Sequence, residues 1–208
     1  MADMGIYSLW PVFTALDLGA PVSAEAWATH TCTIVDCTSR TVANDFSYPT
    51  ACTIRLQFAA RADRPALDLF LYDGGMKPRL PKEVESQNIE LGREGILFVG
   101  DLGAIMAGFH GQDPQLFARG KRESLWKEGP PPQVPGKRHS SWIEAIKGGE
   151  PSPGNFLSAA AITDAVNLGT VALRAGKKIV FDSAHMRITN VPGANKYLTR
   201  EYRKGWEL

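Results

Sequence analysis

Three cysteines, four histidines and the glycines are the residues of this chain whose chemistry depends most on spacing. A zinc site needs close ligand pairs, CxxC or HExxH in the common cases. Cys32, Cys37 and Cys52 form no CxxC pair, and their odd number argues for reduced thiols over a disulfide framework. His30, His110, His139 and His185 follow neither HExxH nor HxH, so no dedicated metal site is expected. No two glycines are separated by a single residue, so the GxGxxG turn that seats a dinucleotide pyrophosphate cannot be written anywhere. No GxxxxGK(S/T) phosphate loop exists either. The remaining candidates are few. Tyr72 and Asp73 end an alternating stretch at a Gly74-Gly75 turn, His139 stands just ahead of a short helical pattern, and Tyr7 lies in an N-terminal one.

The elements that must position these residues follow from periodicity. Residues 155–182 read as one long helix delivering the chain into a strand. Ile162, Val166, Gly169 and Leu173 recur at three-and-four spacing, with Phe156, Ala159, Ala165 and Ala172 beside them. Alanine favours the helix, Arg174 suits its negative end, and Gly176 is the stop. About eighteen residues span about 27 Å, enough to cross a sheet. Residues 177–182 then form a strand running back beneath it.

Residues 3–18 read as an amphipathic helix with Asp3 as N-cap and Ile6, Leu9, Trp10, Phe13 and Leu16 as its apolar stripe. Residues 22–29 alternate as a strand, and residues 31–42, rich in Thr and Val, read as strand as well. The clearest sheet signal is at 51–59 and 66–72, two alternating stretches joined by RADRP as an antiparallel hairpin. Residues 76–93 read as a surface excursion, residues 95–108 as two short strands about a Gly-Asp-Leu-Gly turn, and residues 109–137 as irregular chain. A short helix at 140–147, the stretch 186–189 and a terminal helix at 193–202 complete the order. Strands first and helices later predict an α+β domain: an open, mostly antiparallel sheet with helices packed on one face. The other face is left for solvent or a second subunit.

A chain of 208 residues with 44% hydrophobic content suits one domain. Its net charge of +1 gives no reason to expect nucleic acid or an anionic membrane as partner, and no uninterrupted apolar run of membrane-spanning length is present. The opening MADMGIYSLW has no basic n-region or small-residue cleavage site, so the chain as given is expected in the cytoplasm.

Several segments, in order, carry a resemblance: HSSWIEAIKGG (139–149), LGTVALRAGKK (168–178), MRITN (186–190), ANKYL (194–198) and EYRKGW (201–206). YDGG (72–75) and ILFVGDLG (96–103) belong with them. Together they resemble the C-terminal domain of the glucose–fructose oxidoreductase / inositol dehydrogenase (Gfo/Idh/MocA) family over residues 3–208. That resemblance implies a dihydrodipicolinate-reductase-like α+β fold and an N-terminal Rossmann domain that this sequence lacks. It also implies NAD or NADP as cofactor of a full-length protein, with no cofactor held by this chain, and assembly into a homodimer or higher homo-oligomer through the open sheet face. Met1-Ala2 then look like a start placed at a domain boundary. DMGIY (3–7) is similar to the family's catalytic helix start in its tyrosine form. This implies Tyr7 for moving the hydroxyl proton of a sugar or polyol and Asp3 for supporting it, with His139, Tyr72 and Asp73 as substrate contacts.

The expected function is thus the substrate-binding and oligomerisation half of an NAD(P)-dependent oxidoreductase, inactive alone. Two alternatives stand beside it: a non-catalytic binding or assembly module, and part of an NAD-dependent glycoside hydrolase. The last branch generally carries histidine where this chain has Tyr7.

Overall fold

The computed structural model describes residues 4–44, 46–126, 140–152 and 154–207. It is an α+β fold in which every strand pair among the described residues is antiparallel. The expected single sheet is divided into a five-stranded sheet, a four-stranded sheet and a separate hairpin.

The first helix, α1 (Gly5–Leu16), starts from Met4, which offers no side-chain cap, and ends at Asp17 in the left-handed region. Its buried residues are Gly5, Leu9, Val12 and Phe13, close to the expected stripe. The ring of Phe13 meets that of Phe58 edge-on at 5.8 Å. Strand β1 (Ser23–Ala28) follows, and the Thr/Val-rich stretch becomes a hairpin of β2 (Cys32–Val35) and β3 (Thr38–Thr41). Asp36 and Cys37 both have positive φ, the geometry of a two-residue turn whose twist matches the strands.

Strands β4 (Cys52–Phe58) and β5 (Leu67–Asp73) pair in register from Cys52–Asp73 to Phe58–Leu67, as their alternation predicts. Arg61 in the connecting turn donates from Nη1 to the Asp17 carbonyl at 2.7 Å and to its carboxylate at 2.8 Å, tying the turn to the end of α1.

The reading of 76–93 as mere surface excursion is corrected. A short helix, α2 (Lys82–Glu85), buries Val84 completely, and Leu80 and Ile89 pack with it in a small second core. Its partners are Ala104 and Phe117 from a four-stranded meander of β6 (Ile96–Val99), β7 (Ala104–Ala107), β8 (Gln115–Ala118) and β9 (Lys121–Ser124). The expected irregular chain at 109–137 therefore contains β8 and β9. The missed signal was Arg119-Gly120, both at positive φ, a two-residue hairpin turn. Residues 127–137 of that stretch lie outside the described residues.

Helix α3 (Ser140–Ile146) precedes α4 (Phe156–Ala175). The carboxamide oxygen of Asn155 caps α4 by accepting from Ser158 N at 2.9 Å, and Gly176 ends it at φ 59°. By length and composition α4 could cross a bilayer, but its buried residues, Ile162, Ala165, Val166, Leu168, Gly169, Val171 and Ala172, are part of the core. Phe156, expected on that face, is instead 95% exposed. Strand β10 (Ile179–Asp182) runs antiparallel to β1, and β11 (Arg187–Ile188) completes the order β11-β10-β1-β4-β5. A 3-10 helix, Pro192–Tyr197, stands where a longer terminal helix was expected. Asn195 pins it by donating to the Ile188 carbonyl and accepting from its N–H, 2.9 and 2.8 Å.

One face of the five-stranded sheet is consumed. Ala24, Ile54, Leu56 and Ile179 are fully buried beneath α1 and α4, and burial of each large aliphatic side chain stabilises by roughly 1.5–3 kcal/mol. Ile54→Ala is expected to cost about 3 kcal/mol through lost transfer energy and the cavity left behind, read as a lower midpoint in urea at unchanged slope. Gly74→Ala is expected to destabilise by about 2 kcal/mol. Its φ is 69°, and a Cβ there would stand 2.0 Å from the Thr50 carbonyl oxygen.

Candidate functional site

Strand alternation sends the odd-numbered residues of β4 to the other side of the sheet, where no element among the described residues packs over it. Three rows cross this open face in register. Trp27, Thr53 and Tyr72 form one, Glu25, Arg55 and Phe70 the next, and Ser23, Gln57 and Asp68 the third, with Val180 beside Ser23. Phe70 and Tyr72 stack at 6.2 Å, and the Arg55 guanidinium lies over Phe70 at 5.9 Å.

A polar network crosses the third row. The Gln57 carboxamide oxygen accepts from Ser23 Oγ at 2.8 Å and from Lys178 Nζ at 2.5 Å. Its amide donates to Asp68 at 3.0 Å, and Arg55 donates to the other Asp68 oxygen at 2.6 Å. The Arg55 hydrogen bond, seconded by that of Gln57, holds the Asp68 carboxyl below its usual range against a modest desolvation. These partners fix the charged groups flat along the strands and leave the aromatic rings as the upper surface.

A cleft of about 1790 Å³ opens beside this face, between the inner side of α1, strand β5 and the second sheet. Gly5, Ser8, Leu9 and Val12 line it from α1, Leu69, Tyr72 and Asp73 from β5, and Phe98 and Ile105 from the second sheet.

The expected site residues fall in different places. Tyr72 and Asp73 line the cleft, Tyr72 through its edge at the open face. The Asp73 carboxylate accepts from Gly74 N at 2.8 Å, the turn role its position suggests. Tyr7 is 53% exposed in the first turn of α1 and is not among the residues lining the cleft. Asp3 and His139 lie outside the described residues. The structure thus brings Tyr72 and Asp73 together and leaves Tyr7 facing outward.

Trp142 and Trp206 are both exposed, and the Arg203 guanidinium lies over the Trp206 ring at 5.1 Å. Arg174 lies over Tyr48 at 4.8 Å and Arg200 over Tyr202 at 4.8 Å. Asp182 meets His185 Nδ1 at 2.8 Å and Arg187 Nε at 3.4 Å, and the His185 hydrogen bond draws its carboxyl below the usual range.

One residue escaped the sequence reading. Asp164, on α4, is partly buried, and desolvation raises its carboxyl above the usual range. Its only sequence signal was a carboxylate next to the apolar stripe.

Among the described residues no cluster of three or more His, Cys, Asp or Glu could hold a metal ion. A dinucleotide pyrophosphate needs a parallel βαβ crossover with a glycine-rich turn, and the described strand pairs, all antiparallel, do not fit that group. No protein-family model and no curated protein matches the chain.

The two aspartates carry opposite pH signatures. Asp68 has a depressed carboxyl, so its contribution is present above the unfolded value of about 3.9 and is lost as pH falls through the lower folded value. Asp68→Asn is expected to lower the melting temperature at pH 7, with the deficit closing in acid. Asp164 has a raised carboxyl, so its contribution is full below about 3.9 and is lost as pH rises through the folded value. Asp164→Asn is expected to raise the melting temperature at pH 7, with the advantage vanishing below that range. Thermal scans from pH 3 to pH 8 read both.

Proposed function

We propose that this domain is the substrate-binding and oligomerisation half of an NAD(P)-dependent oxidoreductase acting on a sugar or polyol. In this reading its fold is that of the Gfo/Idh/MocA C-terminal domain. The observation that carries it is the exposure of apolar side chains at the start of α4 and along α3. Phe156 is 95% exposed and Leu157 87%, although both open the helix that forms the core, and Trp142, Ile143 and Ile146 stand exposed on α3. Large apolar residues left in water at such positions mark a surface that another body covers. A dinucleotide-binding domain seated against the helix starts supplies that cover, and supplies the phosphate cradle that the antiparallel sheets do not.

Within this reading Tyr7, held outward in the first turn of α1, faces the covering domain. Its phenol moves the hydroxyl proton of the bound sugar or polyol, supported by Asp3, and His139, Tyr72 and Asp73 contact the substrate. The open sheet face, with Trp27, Phe70 and Tyr72 above its charged rows, is the homo-oligomer surface. The alternative of a non-catalytic module draws on one observation: Tyr7 does not line the cleft.

The chain is expected to show no saturable NADPH binding by calorimetry, and micromolar binding by the chain alone would overturn the half-enzyme reading. Joined to a dinucleotide-binding domain read from the same genomic frame, it is expected to oxidise a member of a sugar and polyol panel, followed by nicotinamide absorbance. Tyr7→Phe is then expected to lower kcat by roughly 10²–10⁴-fold with an unchanged circular-dichroism spectrum. Unaltered turnover would remove Tyr7 from the chemistry, and cleavage of aryl glycosides in the same panel would favour hydrolysis.

A further inference from the structure

Every residue from Cys32 to Thr41 is exposed, so the β2–β3 hairpin is an arm standing clear of the core. Isolated two-stranded hairpins are marginal in water, and β-branched strands with free edges are hazards unless paired. This arm carries Thr33, Ile34, Val35, Thr38 and Thr41, with Ile34 69% exposed. Its only charged residues are Asp36 and Arg40. Such a sequence is expected to have a partner for its edges.

The same molecule holds a receptor for strands. Strand β5 is the last strand of the five-stranded sheet and β6 the first of the four-stranded one, so among the described residues each has an edge that no other strand pairs with. All seven residues of β5 and all four of β6 line the cleft. Alternating side chains point to opposite faces of a strand, so a strand whose every residue lines a cavity presents its hydrogen-bonding edge to it. The cleft is thus bordered by two edges that no other strand pairs with among the described residues, and no residue of the arm lines it.

We propose that the β2–β3 arm of one copy seats in the β5–β6 cleft of a second copy, adding its strands to those free edges. The sizes agree. A hairpin with four residues per strand fills roughly 1,200 Å³ at the usual rise, strand spacing and sheet thickness, inside the cleft of about 1790 Å³. Asp36 at the arm's tip has Arg119, Lys121 and Arg122 as ion partners on a cleft wall that also carries Asp113 and Glu123. Exchange is reciprocal because arm and receptor are close. Cys52 and Met76 line both the main cleft and a smaller pocket bounded by Thr29 and His30, just before the arm begins. This exchange is independent of the catalytic reading and distinct from contact through the open sheet face.

The test uses the whole chain. Sedimentation velocity is expected to find a concentration-dependent dimer, and Ile34→Asp, at an exposed position that leaves the melting temperature unchanged, to weaken its dissociation constant roughly tenfold or more. A second measurement uses the natural thiol at the arm's tip. In a Cys32→Ser background the Val99→Cys variant, altered at an exposed position of β6, is expected to form a disulfide-linked dimer with Cys37 on mild oxidation. The matching Met186→Cys variant, in the exposed turn between β10 and β11, is expected not to. A monomeric wild-type chain at high concentration, a dimer indifferent to Ile34→Asp, or cross-linking through the Met186→Cys variant alone would each overturn the proposal.

Discussion

The close approach of α4 to the five-stranded sheet is the constraint on which the rest depends. It is made by small residues on both sides. Ala24 on β1 is fully buried, and so are Ala165 and Ala172 on the helix, with Gly169 between them. Without large side chains between helix and sheet, the larger residues Ile54, Leu56, Leu168 and Ile179 interlock around the contact. The position of α1 follows, because its Phe13 must find Phe58 at the edge of the same core. A helix pair filling one face commits that face entirely, and alternation then commits every second residue of β1, β4 and β5 to the other.

That second commitment explains the chemistry of the open face. A sheet exposed to water can carry isolated polar residues, yet here the polar groups are bonded to one another across three strands. Gln57 accepts from both Ser23 and Lys178, and Asp68 accepts from both Gln57 and Arg55. Exposed pairs of this kind add little stability singly. Their effect is to fix orientation. With Arg55 bonded to Asp68 and lying over Phe70, the stacked Phe70–Tyr72 pair stands beside a polar network in which Arg55 Nε is buried without a hydrogen-bond partner.

The parts legible in the sequence were those in which one element carries its own period. The stripe of α1, the alternation of β4 and β5, and the Gly176 stop of α4 all stand where local pattern places them. The strands missed were four residues long, too short for alternation to be told from chance, and their evidence lay in turn chemistry at Arg119-Gly120. Burial of Val84 could not be read locally, because its partners Ala104 and Phe117 are brought in by the meander that follows. For the site, the turn of Tyr72 and Asp73 was legible and the division of the sheet was not. That division depends on two edges failing to meet, and no residue records it.

Tyr7 shows how far local reasoning carries toward function. The apolar stripe of α1 is claimed by the core, so a residue two positions before Leu9 must turn away from it and face water. Pro11, four residues on, has no N–H, so the Tyr7 carbonyl loses the helical donor it would otherwise have. The first turn of α1 therefore carries an outward phenol, a carbonyl without that donor and a start that Met4 does not cap. A free helix is weakened by each of these features, and the core contacts of Leu9, Val12 and Phe13 hold it in place regardless. Stability borrowed from one end of the helix lets the other end present polar groups outward. Sites that bind or react are expected to be built in this way, on rigid elements whose exposed groups the fold itself does not consume.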